Sequence, residues 1–152
     1  MKLSVRGEYA LRALIVLGET YGQGVVRIQV ISERQHIPKR FLEQILNDLR
    51  SSGLVESRRG VAGGYRLARP PQEIKLAEVI HHIQGAAPLS PQSIVRPSVR
   101  GQRDEAVAAI QSVVKDVRDA MRAVLENITL ADLCERALKL RGEGGEGGDY
   151  VI

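Results

Sequence analysis

Cysteine occurs once in these 152 residues, tryptophan is absent, and aromatic residues make up only 3% of the chain. One Cys excludes a disulfide framework within the chain. So few aromatics argue against single-strand recognition by base stacking. No apolar run approaches membrane-spanning length, and the N-terminus lacks the apolar stretch of a signal peptide. A soluble cytoplasmic protein is therefore expected. Enzyme signatures are missing too: there is no P-loop, no Gly-x-Ser-x-Gly and no His-Glu-x-x-His. The segment Gly60–Gly64 looks like a phosphate cradle, but it joins two strand-like runs instead of opening a helix. No enzymatic activity is expected.

Hydrophobic residues make up 43% of the chain, enough for a folded core. The net charge of +4 is unevenly spread. Residues 1–70 hold 12 Lys and Arg against 6 Asp and Glu, whereas residues 71–152 hold 10 against 12. A basic first half points to a polyanionic partner. Glycine is uneven as well, with 5 of 15 in residues 142–148.

Periodicity predicts a helix from residue 4 to about 21, carried by Ala10, Leu14, Leu17 and Tyr21 with Ala13 beside them, and stopped by Gly22 and Gly24. A short helix fits Ile28–His36. The next runs from Pro38 to about Ser52, with Phe41, Leu42, Ile45, Leu46 and Leu49 as its apolar stripe and Gly53 as its cap. Two short helices around a tight turn make a helix-turn-helix. Leu54–Arg58 and Tyr65–Ala68 then read as strands of a hairpin with a Gly-rich tip, closed by Pro70-Pro71. The expected fold is mainly α with a small β-hairpin wing, a winged helix-turn-helix over residues 1–85.

Residues 75–85 read as a further amphipathic helix. Residues 86–103 carry three prolines and no periodicity, and read as a loop. A long helix follows from Asp104 to about Asn127. Val107, Ile110, Val114, Val117, Met121, Val124 and Ile128 recur at alternating spacings of three and four along it and into Ile128, an a/d seam for a second copy. Thr129-Leu130-Ala131-Asp132 resembles a capping box opening a last helix that ends near Arg141. The dimerisation helices thus occupy 104–141. Residues 142–152 form a flexible glycine-rich tail ending in Asp149-Tyr150-Val151-Ile152.

On the helix from Pro38 to Ser52, Lys39, Arg40, Glu43, Gln44, Asn47 and Arg50 share the polar face. A major groove admits one helix, and side chains near its N-terminal end reach base edges. Arg40 suits guanine, Gln44 adenine, and Glu43 the cytosine amino group. Arg58 and Arg59 on the wing suit the minor groove or phosphates, and Gly60, Gly63 and Gly64 permit close backbone approach. DNA-binding residues are therefore expected at Lys39, Arg40, Glu43, Gln44, Asn47, Arg58, Arg59, Gly60, Gly63 and Gly64.

The chain also resembles the Rrf2 (BadM-type) family of bacterial transcriptional regulators. The resemblance is carried by Gly7-Glu8-Tyr9-Ala10, Ile31-Ser32-Glu33-Arg34-Gln35, Phe41-Leu42-Glu43-Gln44-Ile45-Leu46, Gly53-Leu54-Val55, Arg59-Gly60, Gly63-Gly64-Tyr65-Arg66-Leu67-Ala68 and Ile128-Thr129-Leu130-Ala131-Asp132-Leu133. It implies a homodimer joined through the long helix and a near-palindromic double-stranded operator. Many members hold an iron–sulfur cluster through three cysteines in the loop before that helix. Here residues 86–103 contain neither Cys nor His, so no cluster, metal or other cofactor is expected. Cys134 reads as a small core residue, and a redox role for it is weakly supported. The adjacent His81 and His82 point in different directions and make a poor metal pair, and His36 closes a helix.

The terminal Asp149-Tyr150-Val151-Ile152 resembles the C-terminal tail of serine acetyltransferases, which enters the active site of cysteine synthase (O-acetylserine sulfhydrylase). Within the Rrf2 family, the clusterless cysteine-metabolism repressors of the CymR type pair with that enzyme. The resemblances imply a dimeric repressor of cysteine or sulfur genes with cysteine synthase as partner. Two alternatives stay open: a regulator of the same fold that senses a small molecule or redox state and carries an inert tail, and an interaction module that controls cysteine synthase without touching DNA.

Overall fold

The computed structural model describes residues 3–85 and 105–146. The loop expected at 86–103 and the terminal Asp149–Ile152 lie outside the described residues. Helix α1 (Val5–Glu19) is followed by α2 (Ile28–Gln35), α3 (Lys39–Ser51), strands β1 (Val55–Arg58) and β2 (Gly64–Leu67), a 3-10 turn (Pro71–Glu73), α4 (Leu76–Gln84), α5 (Glu105–Asn127) and α6 (Leu130–Glu146). A helical winged fold with a two-stranded wing is what the sequence predicts.

The Ser4 hydroxyl starts α1 by accepting from Gly7 N–H at 3.0 Å. Ala10, Ala13, Leu14, Val16 and Leu17 are buried, and α1 touches α2, α3, α4, α6 and β2. Tyr21, expected on the buried stripe, is 44% exposed instead. The helix has ended by then: Thr20 N–H and its hydroxyl both bond Val16 O, at 3.3 and 2.9 Å, and turn the chain outward.

The turn between α2 and α3 is tight. His36 takes a left-handed conformation (φ 52°, ψ 44°) that closes α2. Ile37 N–H bonds Ser32 O at 3.1 Å, the Ser32 hydroxyl donates to Ile37 O at 2.6 Å, and Ile37 is buried. Pro38 lies just outside α3 as its N-cap, and its carbonyl accepts from Phe41 and Leu42 at 3.0 and 3.1 Å. Leu42, Ile45, Leu46 and Leu49 are buried, but Phe41 is 44% exposed and leaves the core stripe. It sits roughly 100° around the helix from Leu42, at the edge of the apolar arc.

The wing pairs β1 and β2 antiparallel, Val55 opposite Leu67 and Arg58 opposite Gly64. Val55 and Leu67 point inward and are buried, while Glu56 and Arg66 pair on the outer face at 3.0 Å. Val26 adds a bridge to Tyr65, with both backbone bonds at 2.8 Å. Further on, Leu130 N–H bonds Ile74 O at 2.7 Å and Leu76 N–H bonds Ile128 O at 2.9 Å, so the starts of α4 and α6 are stitched together. The capping box forms: Thr129 N–H bonds the Asp132 carboxylate at 2.9 Å and Asp132 N–H bonds the Thr129 hydroxyl at 3.2 Å. These bonds from Thr129 hold the Asp132 carboxyl below its ordinary pKa.

Two findings concern the C-terminal half. No residue of α5 is fully buried. Its expected stripe divides: Val107, Val114, Met121 and Ile128, each seven apart, are half-buried, whereas Ile110, Val117 and Val124 are exposed. Val113 joins the exposed set, whose four members are 53–62% accessible. Second, α6 does not stop near Arg141 but continues through Gly142, Gly144 and Gly145 to Glu146. Extending an existing helix avoids nucleation and gains one bond per residue, against about 1 kcal/mol for each glycine. Arg141 is also tethered, since Glu19 accepts from it at 2.5 Å and from Arg34 of α2 at 2.9 Å.

Because left-handed backbone costs an L side chain roughly 1–2 kcal/mol and glycine's extra chain entropy returns part of that, His36→Gly is expected to gain about 0.5 kcal/mol. His36→Val should lose about 1 kcal/mol or more. Urea unfolding of the two variants checks the contrast; a Val variant as stable as the Gly variant contradicts it.

Candidate nucleic-acid interface

The polar face of α3 is built by its own core. Burying Leu42, Ile45, Leu46 and Leu49 turns Lys39, Arg40, Glu43, Gln44 and Asn47 outward, and all five are exposed. The Arg40 guanidinium lies 5.1 Å from the centre of the Phe41 ring, a cation–π contact that aims it along the helix. Gln44 borders a shallow groove with Val5, Tyr9 and Phe41. Arg6 in the first turn of α1 pairs with Asp48, clamping α3 to the central helix.

Two arginines given no role in the sequence reading brace the wing. Arg50 donates to Asn47 Oδ1 at 2.9 Å and to the Ser57 hydroxyl at 3.3 Å, so it ties α3 to β1. The carbonyl of Asn47 is therefore already engaged. Arg27, at the N-cap of α2, donates to Val61 O at 3.2 Å and holds the hairpin tip from the other side. Arg12 of α1 donates to the Gln35 side chain at 3.3 Å and to its backbone carbonyl, capping the end of α2. Apart from Asn47–Arg50, three positions apart and visible as a local helix pair, these contacts join residues 7 to 34 positions apart.

Arg58 and Arg59 are exposed on the wing. The three wing glycines have steric reasons of their own. Gly60 has φ 111°, a conformation L side chains rarely adopt. A Cβ at Gly63 would lie 2.4 Å from Arg58 O, and one at Gly64 would lie 2.4 Å from Val26 O. The result is a helix face of donors and acceptors next to a basic hairpin, which Arg27 and Arg50 brace.

These features have a known counterpart. The family model for Rrf2, described as an iron-dependent transcriptional regulator, matches residues 3–136. The chain belongs to the Rrf2 family. It is 39% identical over 140 residues to Rv1287 of Mycobacterium tuberculosis, whose name describes an HTH-type transcriptional regulator, covering 91% of this chain and 84% of that one. To the HTH-type transcriptional regulator CymR of Bacillus subtilis it is 34% identical, covering 88% of this chain and 89% of that one. The solved structure of CymR (YrzC), the global cysteine regulator of B. subtilis, superposes with a TM-score of 0.74 over 90% of this chain and 98% of that one, at 31% identity. The T. potens IscR structure gives a TM-score of 0.70 at 34% identity, covering 90% and 88%. The chain is thus a transcriptional regulator of the Rrf2 and CymR type, and regulators of this family are not enzymes.

The donor set of this chain does not fit the iron dependence in the family's description. Its one thiol is Cys134, and among the described residues no three of His, Cys, Asp and Glu converge on a point. His81 and His82 are both exposed, with ring centres 5.9 Å apart and their planes at 68°. Cys134 is half-buried against α1, with Sγ 3.7 Å from Ile15 O, and a Cβ at Gly18 would meet that sulfur at 2.6 Å. Burial, and secondarily the nearby Glu19 carboxylate, push its pKa up to about 11. Among the described residues, no helix is long and apolar enough to cross a membrane.

A thiol raised from 9.0 to about 11 holds roughly 100-fold less thiolate at pH 8 than an ordinary one. Its alkylation by iodoacetamide in the native protein should be slower by about that factor than in urea. Equal rates in the two states would show Cys134 to be a reactive thiol after all.

Proposed function

We propose that this protein is a dimeric repressor that binds operators of cysteine or sulfur genes without an iron–sulfur cluster. The observation that carries the reading is the exposed face Lys39, Arg40, Glu43, Gln44 and Asn47, presented beside Arg58 and Arg59 on a wing braced by Arg27 and Arg50. The α3 face meets base edges in the major groove, while the wing takes phosphates or the minor groove. The exposed line Ile110, Val113, Val117 and Val124 is apolar surface that one chain leaves open, and a second copy would cover it. Two-fold pairing then sets two reading helices about one DNA turn apart. Operator binding places the protein in the cytoplasm.

The cysteine assignment rests on likeness to the global cysteine regulator CymR and on the terminal Asp149-Tyr150-Val151-Ile152. In this reading the tail enters the active site of cysteine synthase, its terminal carboxylate taking the place of the substrate's, and O-acetylserine competes for that site. The carboxylates of Glu143 and Glu146 keep the segment away from DNA. The protonated, half-buried Cys134 disfavours a redox sensor, while an effector-sensing regulator with an inert tail stays in play through the tests below.

Operator sequences selected from random DNA provide the binding substrate. Arg59→Ala should weaken binding on every sequence and lower the salt slope by about one, whereas Gln44→Ala should relax one base pair by about 1–3 kcal/mol. No effect from either variant would favour a module that works without DNA. Titration of cysteine synthase with the full chain should show binding that O-acetylserine displaces and that deletion of Asp149–Ile152 abolishes. Equal binding with and without the tail, or none with either, would leave the tail inert.

A further inference from the structure

The long helix α5 meets the rest of its chain mainly through α4, and α4 in turn packs on α1 and α3. The α4–α5 junction is therefore the mechanical link between the reading helix and the seam open to a second copy. A cleft of about 430 Å³ opens at that junction, within the size range of small-molecule sites. Its apolar wall is Ile80 and Leu125, and its polar rim is His81, Arg122, Glu126 and Glu78.

The rim charges are not spent on each other. Glu78 is held by Arg69 at 2.5 Å. Arg122 and Glu126 stand four apart on α5, yet among the described residues they make no ion pair. The equally spaced Lys115–Asp119 and Glu135–Lys139 pairs close at 4.0 and 3.3 Å. The His81 ring stands edge-on to the His82 ring, 5.9 Å away. Two donors, one open carboxylate and an apolar wall thus face one small volume. A ligand that matches carries a carboxylate, an ammonium group and a short side chain on one carbon.

The site also survives dimerisation. At 100° per residue, Arg122 and Glu126 lie roughly 140° and 180° around α5 from Val117. A copy seated on the exposed seam leaves the cleft open.

We infer that the α4–α5 cleft binds a free α-amino acid as an effector. Arg122 and His81 hold its carboxylate, Glu126 holds its ammonium group, and its side chain lies on Ile80 and Leu125. A molecule bridging α4 and α5 shifts the reading helices relative to the seam, and with them the separation of the two half-sites. That consequence rests on the regulator reading, whereas the binding itself does not.

The test is isothermal titration of the full-length chain, without DNA, by each standard α-amino acid. At least one should bind. Arg122→Gln and Glu126→Gln, both at exposed positions, should each weaken that binding roughly 10–100-fold, while the remote Lys139→Gln leaves it unchanged. The same amino acid N-acetylated or amidated should also bind at least tenfold more weakly, which separates a free amino acid from a peptide end. No binding by any amino acid, unchanged binding in Arg122→Gln and Glu126→Gln, or full binding of the N-acetyl form would each overturn the assignment. Failure of operator binding in the separate DNA experiment would leave this result standing.

Discussion

The packing of the winged half depends on the narrowness of α1. Gly7, Ala10 and Ala13 give the central helix small side chains along its contact faces, and larger neighbours close in over them. A Cβ at Gly7 would lie 2.3 Å from Gln84 Oε1, the group that also accepts from Ser4 N–H at 3.1 Å. The start of α1 is thereby fixed to the end of α4. Arg6 and Arg12, on the exposed side, then pin α3 and α2 through Asp48 and Gln35. The placement of α3 is thus inherited from its packing on α1. Added bulk on the inner face of α1 would tilt α3 before it unfolded the domain.

The elements were legible in the sequence because each one carried its own signal. The apolar arc of α3, the Gly53 cap, the Thr129–Asp132 box and the Gly-rich hairpin tip are all local patterns, and local patterns survive without tertiary knowledge. What stayed hidden was long-range. Phe41 and Tyr21 were placed on buried stripes because hydrophobicity does not say where a stripe ends. The braces through Arg27 and Arg50 were invisible because an arginine on a polar face reads the same whether it meets solvent or a carbonyl across the fold. Of the predicted DNA face, the α3 side chains and both wing arginines are exposed, while Asn47 is partly committed to holding Arg50.

The apolar stripe of α5 carries two degrees of exposure. A heptad pattern with extra apolar positions is wider than one neighbour covers. One line, through Val107, Val114, Met121 and Ile128, is half-buried, and the exposed line through Ile110, Val113, Val117 and Val124 lies beside it. Both lines ride on one helix that packs on α4, so a shift of α5 against α4 moves both together.

Gly18 and Cys134 leave a mark that would be read across a lineage. With the sulfur 2.6 Å from where a Cβ at residue 18 would stand, the two positions share a single allotment of space. Neither drifts freely: a methyl acquired at 18 requires a smaller or repositioned side chain at 134, and the two changes should arrive together among descendants. The chain's one cysteine thus fills the space that the missing Cβ at residue 18 leaves, and its loss would open a gap between α1 and α6 that a neighbouring side chain must fill.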